Sequence, residues 1–298
     1  MKFSSYINYW KKFSNNEVKE ILYLKDWHFF QDTGDDFVYE VPEYFESDYL
    51  NEYCLSNRVT DYRFVYLGPQ SSSTPVHIDV FGSYSWSANI CGRKKWLFIP
   101  SCNVMKLKQL LNYKIPNDLY TIDNREEIFQ KVEAFEVIQN SGEILFVPSG
   151  FMHQVINLVD TLSINHNWFN GCNLDAILDN ILDASKQVQN EINDLRNLMS
   201  KEDWLSQCQQ LLSMHFGLNM KDFIQIISFV ADRLSKEYEK PKYSFRFEGD
   251  VKSLINIIKR ICQLENPIKE QFNNLCLEKI NYIMKQLEHF NFQFPSMS

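Results

Sequence analysis

The sequence predicts a mainly β fold with added α: a double-stranded β-helix of the jelly-roll or cupin-like kind, followed by a helical C-terminal region. Three observations predict it. Between residues 63 and 168, short runs rich in Val, Ile, Phe, Tyr and Trp are broken by Gly, Pro and Ser. Those runs number eight, the strand count of a jelly roll. Past residue 172, apolar residues recur at helical spacing almost to the end.

The eight expected strands are Arg63–Leu67, Val76–Phe81, Trp86–Ile90, Lys94–Ile99, Ala134–Gln139, Glu143–Pro148, His153–Leu158 and Thr161–Trp168. Turn pairs separate most of them: Gly68-Pro69, Cys91-Gly92, Ser141-Gly142, Ser149-Gly150 and Val159-Asp160. Between the fourth and fifth lies a long insert, Ser101 to Val132, in which Met105, Leu107, Leu110 and Leu111 suggest a short helix. An insert of this length in a compact domain is usually functional or disordered, and it is the candidate for closing over a substrate.

In the tail, Ile177, Ile181, Ala184, Val188, Ile192 and Leu195 make one long stripe, with Asn173 placed to cap its start. Ser200 with Asp203 resembles a capping box. Asn219 is placed to cap the helix of Phe223, Ile226, Ile227 and Val230, which Lys240-Pro241-Lys242 ends. Two further helices are expected near Val251–Cys262 and Ile268–Leu287. The resulting division is a supporting segment at 1–60, the β-helix at 61–172 and a helical region at 173–298. The tail reads as packing on the jelly roll rather than as a dimerisation element.

Composition excludes several classes. The 298 residues are 45% hydrophobic and 23% charged, and the formal charge is -8. A phosphate-tracking surface is basic, so nucleic acid is not the expected partner. No apolar run reaches membrane-spanning length, and Met1 to Phe13 lacks a signal-peptide core. Seven scattered cysteines, none in a CxxC pair, argue against a disulfide framework or a zinc knot. Reduced thiols in the cytoplasm, or the nucleus, are the simplest reading.

The sharpest motif is Thr74-Pro75-Val76-His77-Ile78-Asp79. Side chains alternate along a strand, so His77 and Asp79 share a face. An imidazole and a carboxylate there are two-thirds of the facial triad that holds non-haem iron. HxD alone is common by chance. The stretch from Gly142 to His153 changes that balance: an apolar strand, a Pro/Gly turn, then a histidine opening the next strand, 74 residues beyond Asp79. Three such ligands leave positions open for a co-substrate and oxygen. His166 is the rival third ligand, but if Asn165 and Asn167 face the pocket, alternation turns it away. His28, His215 and His289 read as packed or surface residues. A dicarboxylate co-substrate also needs a cation. In Gly92-Arg93-Lys94-Lys95-Trp96-Leu97-Phe98, Lys94 shares the face of Trp96 and Phe98 whereas Lys95 points the other way. Taken alone, both lysines would read as solvated at a hairpin end.

HxD, GxK one strand pair later, and a GE…VPSG…H stretch followed by asparagine on the last strand together resemble the jumonji-C oxygenases. So do YRFVYLGP, SYSWSANICGRKKWLF, LFVPSGFMHQV and SINHNWFNGCNL. The match extends from about Tyr6 into the helical region and is strongest from Asp61 to Asn173. The resemblance implies an Fe(II)- and 2-oxoglutarate-dependent dioxygenase, using O2 and supported by ascorbate, with His77, Asp79 and His153 as metal ligands. Lys94 matches the lysine that holds the distal carboxylate of 2-oxoglutarate. Thr74, Asn167 and Asn165 match co-substrate contacts, and Ser87 falls where some relatives carry a co-substrate asparagine. The implied substrate is a lysine in the eukaryotic translation release factor. Histone lysine demethylation and a non-catalytic cupin-like scaffold are the alternatives. Members of the family carry more chain before Ser5-Tyr6-Ile7-Asn8-Tyr9-Trp10-Lys11, so packing support for the core is expected to be shorter here.

Overall fold

The computed structural model describes residues 1–34, 38–238 and 246–264, together with 278, 281, 282 and 285. The chain divides into two compact units: Met1–Glu40 with Thr60–Asn167, and Val41–Val59 with Trp168–Ser298. The segment expected as a single support, 1–60, is thereby shared between them.

The first unit contains nine strands: β1 (Leu24–Trp27), β2 (Arg63–Gly68), β3 (Ser73–Ile78), β4 (Tyr84–Cys91), β5 (Arg93–Ile99), β6 (Phe135–Asn140), β7 (Ile144–Val147), β8 (Met152–Asn157) and β9 (Thr161–Trp168). They form a five-stranded sheet in the order β1-β2-β9-β4-β7 and a four-stranded sheet in the order β3-β8-β5-β6. From β2 to β5 and again from β6 to β9, successive strands switch sheets, which is the winding of a double-stranded β-helix. The cupin-like fold expected from the turn spacing is therefore the fold observed. Its core is dominated by inward aromatics and valines, among them Trp96, Phe98, Val147 and Val155.

Two strands depart from expectation. β1 has no apolar alternation, only Leu24 and Trp27 around Lys25 and Asp26, so it carries no sequence signal; it is made a strand by pairing with β2. The second expected strand, Val76–Phe81, lies instead at Ser73–Ile78. It stops because Phe81 adopts a left-handed backbone (φ 45°) inside a 3-10 turn over Val80–Gly82. β3 also carries a bulge: Thr74 pairs with Val155 and His77 with His153, so three residues on one strand span two on the other. Pro75, which cannot donate to a ladder, sits in that bulge.

The insert is packed rather than loose. It forms α helices at Ser101–Leu110 and Arg125–Lys131 and a 3-10 turn at Leu119–Thr121. Val104, Leu107, Leu119 and Val132 bury against Leu97, Ile99 and Met152, the outward side of β5 and β8. Gln154 ties the turn down, accepting from the Leu119 amide (2.7 Å) and donating to Asp118 (2.7 Å). The expectation of a segment closing over substrate gives way to a buttress behind the smaller sheet.

At the N-terminus of this unit, a helix at Phe3–Ser14 is held by Tyr6, whose hydroxyl donates to the Leu67 carbonyl (2.7 Å) and accepts from the Leu24 amide (3.3 Å).

The second unit is helical. Its helices span Tyr49–Ser56, Leu174–Glu191, Lys201–Phe216, Met220–Tyr238 and Phe247–Gln263. Asp48 caps the first, accepting from the Asn51 amide (2.9 Å). Arg233 ties three of them together by pairing with Glu52 and Asp250 (both 3.3 Å). Ile177, Ile181 and Val188 are buried as the stripe requires, but the helix ends at Glu191, short of Ile192 and Leu195. Asn173 occupies the cap position without capping; its side chain accepts from the Asn170 amide instead (3.1 Å). Ser200 and Asn219 cap as expected, accepting from Asp203 (3.1 Å) and Asp222 (2.9 Å). Lys240-Pro241-Lys242 and the stretch Ile268–Leu287 fall outside the described segments.

Candidate metal centre

Three potential ligands meet at one rim of the β-helix. The register of β3 against β8 sets His77 opposite His153, with ring centroids 4.2 Å apart. Asp79 follows two residues on. It lies past the end of β3, yet its backbone is still extended (φ -57°, ψ 149°), so its side chain returns to the histidine side. One ligand atom from each of His77, Asp79 and His153 lies within 4.8 Å of the others, and His77 Nε2 is 3.9 Å from Asp79 Oδ1.

The spare atom of every group in this trio already has a partner. His77 Nδ1 lies 2.8 Å from the Pro75 carbonyl and His153 Nδ1 lies 3.2 Å from the Phe151 carbonyl. A carbonyl can only accept, so both rings carry a proton on Nδ1, which leaves Nε2 as the atom that can ligate. Ser85, on β4, donates its hydroxyl to Asp79 Oδ2 at 2.7 Å. Burial pushes the His153 imidazolium down to a pKa of about 4, against the attraction of Asp79 and together with repulsion from His77. The ring is therefore neutral at pH 7, as a ligand must be. Two imidazoles and one carboxyl group, all presented from one side, are a donor set that fits a divalent first-row metal such as Fe(II).

Deeper in the interior the chemistry reverses. Lys94 is only 1% exposed. Its cross-strand neighbours are Gln139 and Asn157, and its Nζ lies 2.5 Å from Ser163 Oγ and 5.8 Å from the Tyr66 ring. Among the described residues no carboxylate pairs with it. Burial alone pulls its pKa down to about 7. A lysine inside a β-helix that meets a hydroxyl and aromatic faces but no carboxylate among the described residues has the chemistry to receive an anion. Ser87 Oγ and Asn89 Oδ1, buried on β4, have no hydrogen-bond partner among the described residues, so the interior holds unmet polar capacity as well. That combination fits a small dicarboxylate. Lys95 points outward, pairing with Glu136 (2.8 Å) and lying over the Tyr120 ring (4.6 Å).

The remaining expected contacts divide. Thr74 would sit on the far face from His77 by simple alternation, but the bulge brings both opposite the inward residues Val155 and His153. Asn165 donates to Ser163 (3.0 Å) and Asn167 to Ser83 (3.2 Å), so both share Lys94's side of β9. His166 takes the other face, stacked on Trp86 at 4.1 Å and hydrogen-bonded to the Tyr39 hydroxyl. Ser85, Ser149 and Ser163 escaped the sequence reading. Ser149 donates to the Gly82 carbonyl, tying the turn that delivers His153 to the turn that follows Asp79. Parity was the missed signal: Ser85 is two residues from Ser87, and Ser163 two from Asn165. An apolar groove of about 670 Å³ runs between the edge strands β6 and β7 and is bordered by Phe98 and Phe151; Phe98 lies 5.7 Å from the His153 ring.

Residues 64–168 match the jumonji-C (JmjC) domain, hydroxylase, family. The chain is 43% identical over 240 residues to the 2-oxoglutarate and iron-dependent oxygenase JMJD4 of Gallus gallus, covering 78% of this chain and 56% of that protein. It is 44% identical over 212 residues to the Drosophila melanogaster homolog, covering 71% and 48%. It is 38% identical over 245 residues to the arginine-specific demethylase JMJ20 of Arabidopsis thaliana, covering 76% and 52%. The chain spans about half the length of the curated relatives it matches.

Proposed function

The chain belongs to the jumonji-C family, and from that premise we propose that it is an Fe(II)- and 2-oxoglutarate-dependent dioxygenase that hydroxylates a lysine side chain of a protein, the eukaryotic translation release factor. The observation that carries the oxygenase reading is the pairing of two unlike receptors in one interior: a His77–Asp79–His153 trio for a cation and a buried Lys94, with no carboxylate partner among the described residues, for an anion. When bound, iron(II) with 2-oxoglutarate and O2 supplies oxidative decarboxylation to succinate and transfer of one oxygen atom to a substrate C–H bond; ascorbate keeps the metal reduced.

The chain's own contribution is placement. His77, Asp79 and His153 hold the metal from one side, leaving the other open. Lys94 with Ser163 anchors the distal carboxylate by a charge-assisted hydrogen bond, and Thr74, Asn165 and Asn167 line the same space. Trp96 and Phe98, buried on the face of β5 that carries Lys94, with Phe98 opposite His153 of β8, exclude water from the space between the two receptors.

For the substrate, the support is the sequence resemblance, the hydroxylase family match and the chain's net charge of -8, which favours a basic loop over a nucleobase. A second reading has its own observation: one relative is named as an arginine-specific demethylase. Intact-mass measurement separates the two. Incubated with iron, 2-oxoglutarate and ascorbate, the release factor should gain about 16 Da on one lysine, with no formaldehyde from methylated histone peptides. Faster loss of methyl groups from a methyl-arginine or methyl-lysine peptide would transfer the assignment to demethylation.

A further inference from the structure

Asp79 sits at an awkward place for a residue that must present one oxygen in a fixed direction. β3 ends at Ile78, so no ladder bond holds the residue itself. Immediately after it the chain enters the 3-10 turn with Phe81 at φ 45°, a conformation costly for a bulky side chain. That turn is well anchored: Phe81 is 1% exposed, the Gly82 amide bonds back to the Asp79 carbonyl (3.0 Å), and Ser149 donates to Gly82. The backbone of Asp79 is thereby fixed. Its carboxylate is not, because the terminal torsion of an aspartate is broad and two-fold.

The group that breaks this two-fold choice comes from another strand. Ser85 lies opposite Val147 in the β4–β7 ladder, and its hydroxyl donates to Asp79 Oδ2 at 2.7 Å. The other oxygen, Oδ1, is the one that faces His77 Nε2, at 3.9 Å. We infer that Ser85 is a positioning residue which occupies one oxygen of Asp79, making this carboxylate a one-oxygen ligand and keeping a coordination position free for co-substrate. The inference rests on the metal reading of the trio. Without the hydroxyl, both oxygens can turn toward the same ion, and a chelating carboxylate takes up a position that the co-substrate needs.

The test compares Ser85→Thr with Ser85→Val, two variants of the same shape that differ in the hydroxyl; Ser85→Ala serves if the valine variant does not fold. Co(II) alone is the probe, with affinity from calorimetry and coordination number from its visible absorption. Ser85→Val should bind Co(II) about 10–100-fold more weakly, as loss of a ligand's supporting hydrogen bond typically does. Its spectrum should differ from the wild-type chain's, because a second carboxylate oxygen replaces a water in the position the co-substrate needs, and its KM for 2-oxoglutarate should rise more than kcat falls. Ser85→Thr should restore all three. Equal affinity and spectrum for the valine and wild-type chains would overturn the positioning role. Failure of the wild-type chain to bind Co(II) at all would instead overturn the metal reading beneath it.

Discussion

The rim of the β-helix and its interior prepare for opposite charges in opposite ways. At the rim, every spare atom of the trio is satisfied: two Nδ1 groups by backbone carbonyls and one carboxylate oxygen by Ser85. What remains are lone pairs converging on one point. In the interior, Lys94 is left with a single serine, and burial drags its pKa to about 7. The rim is preorganised and waits for a cation; the interior is strained by an unmet charge and waits for an anion. Pre-satisfied ligands make metal binding a matter of filling a gap, whereas the lysine makes anion binding a relief of a desolvation cost.

Removing a rim ligand should produce the largest effect. His77→Ala, Asp79→Ala and His153→Ala should each abolish 2-oxoglutarate decarboxylation and metal retention, because two ligands cannot hold iron in facial geometry. His166→Ala should keep both and lose stability instead, on the order of 1–3 kcal/mol, since it removes a buried ring stacked on Trp86 and hydrogen-bonded to the Tyr39 hydroxyl. An active His153→Ala beside a dead His166→Ala would reverse the assignment.

The interior should respond less and in a graded way. Lys94→Ala should raise the 2-oxoglutarate requirement about tenfold or more, the equivalent of a charge-assisted pair worth roughly 1.5–3 kcal/mol; Lys95→Ala should not. A pH dependence sharpens the contrast. With a free pKa of about 7, Lys94 is an ammonium below that pH and needs no protonation to receive a carboxylate. Above it, binding must draw in a proton, so affinity falls by up to about tenfold per pH unit. Tyr66, Ser163, Gln139 and Asn157 face Lys94 from the neighbouring strands, and burial holds the Tyr66 hydroxyl protonated far above this range. Lys94→Ala should remove the dependence, and equal pH profiles for the two chains would contradict the role.

Much of this was legible in the residues because side-chain parity in a strand is rigid. It brought Lys94 inward and Lys95 outward, and it turned His166 away from Asn165 and Asn167. β9 falls at the bounds that its turn residues mark, Thr161–Trp168. Parity fails where the strand does. Thr74 and His77 share a face only through the bulge at Pro75, and Asp79 stands beyond the strand end because of one left-handed residue, Phe81. Neither event leaves a trace in apolar alternation. β1 and the packing of the insert were illegible for a different reason: Leu24–Trp27 is a strand by virtue of its partner, and although the short helix expected around Leu107 is present at Ser101–Leu110, Leu107 and Leu119 find their core only against the outer side of another sheet. In the tail, capping chemistry located Ser200 and Asn219 correctly but not Asn173, whose side chain is taken by a tight turn of its own.

The central claim is that rim and interior act together on one metal and one dicarboxylate. The direct measurement is an anaerobic titration of 2-oxoglutarate into the Fe(II)-loaded chain, followed by the visible charge-transfer absorption that chelation of iron by a 2-oxo acid produces. The account predicts a saturable band for the wild-type chain, a weaker titration for Lys94→Ala that reaches the same band at higher concentration, and no band for Asp79→Ala. A wild-type chain that binds iron and shows no band at any 2-oxoglutarate concentration, or a Lys94→Ala titration that overlays it, would contradict the account.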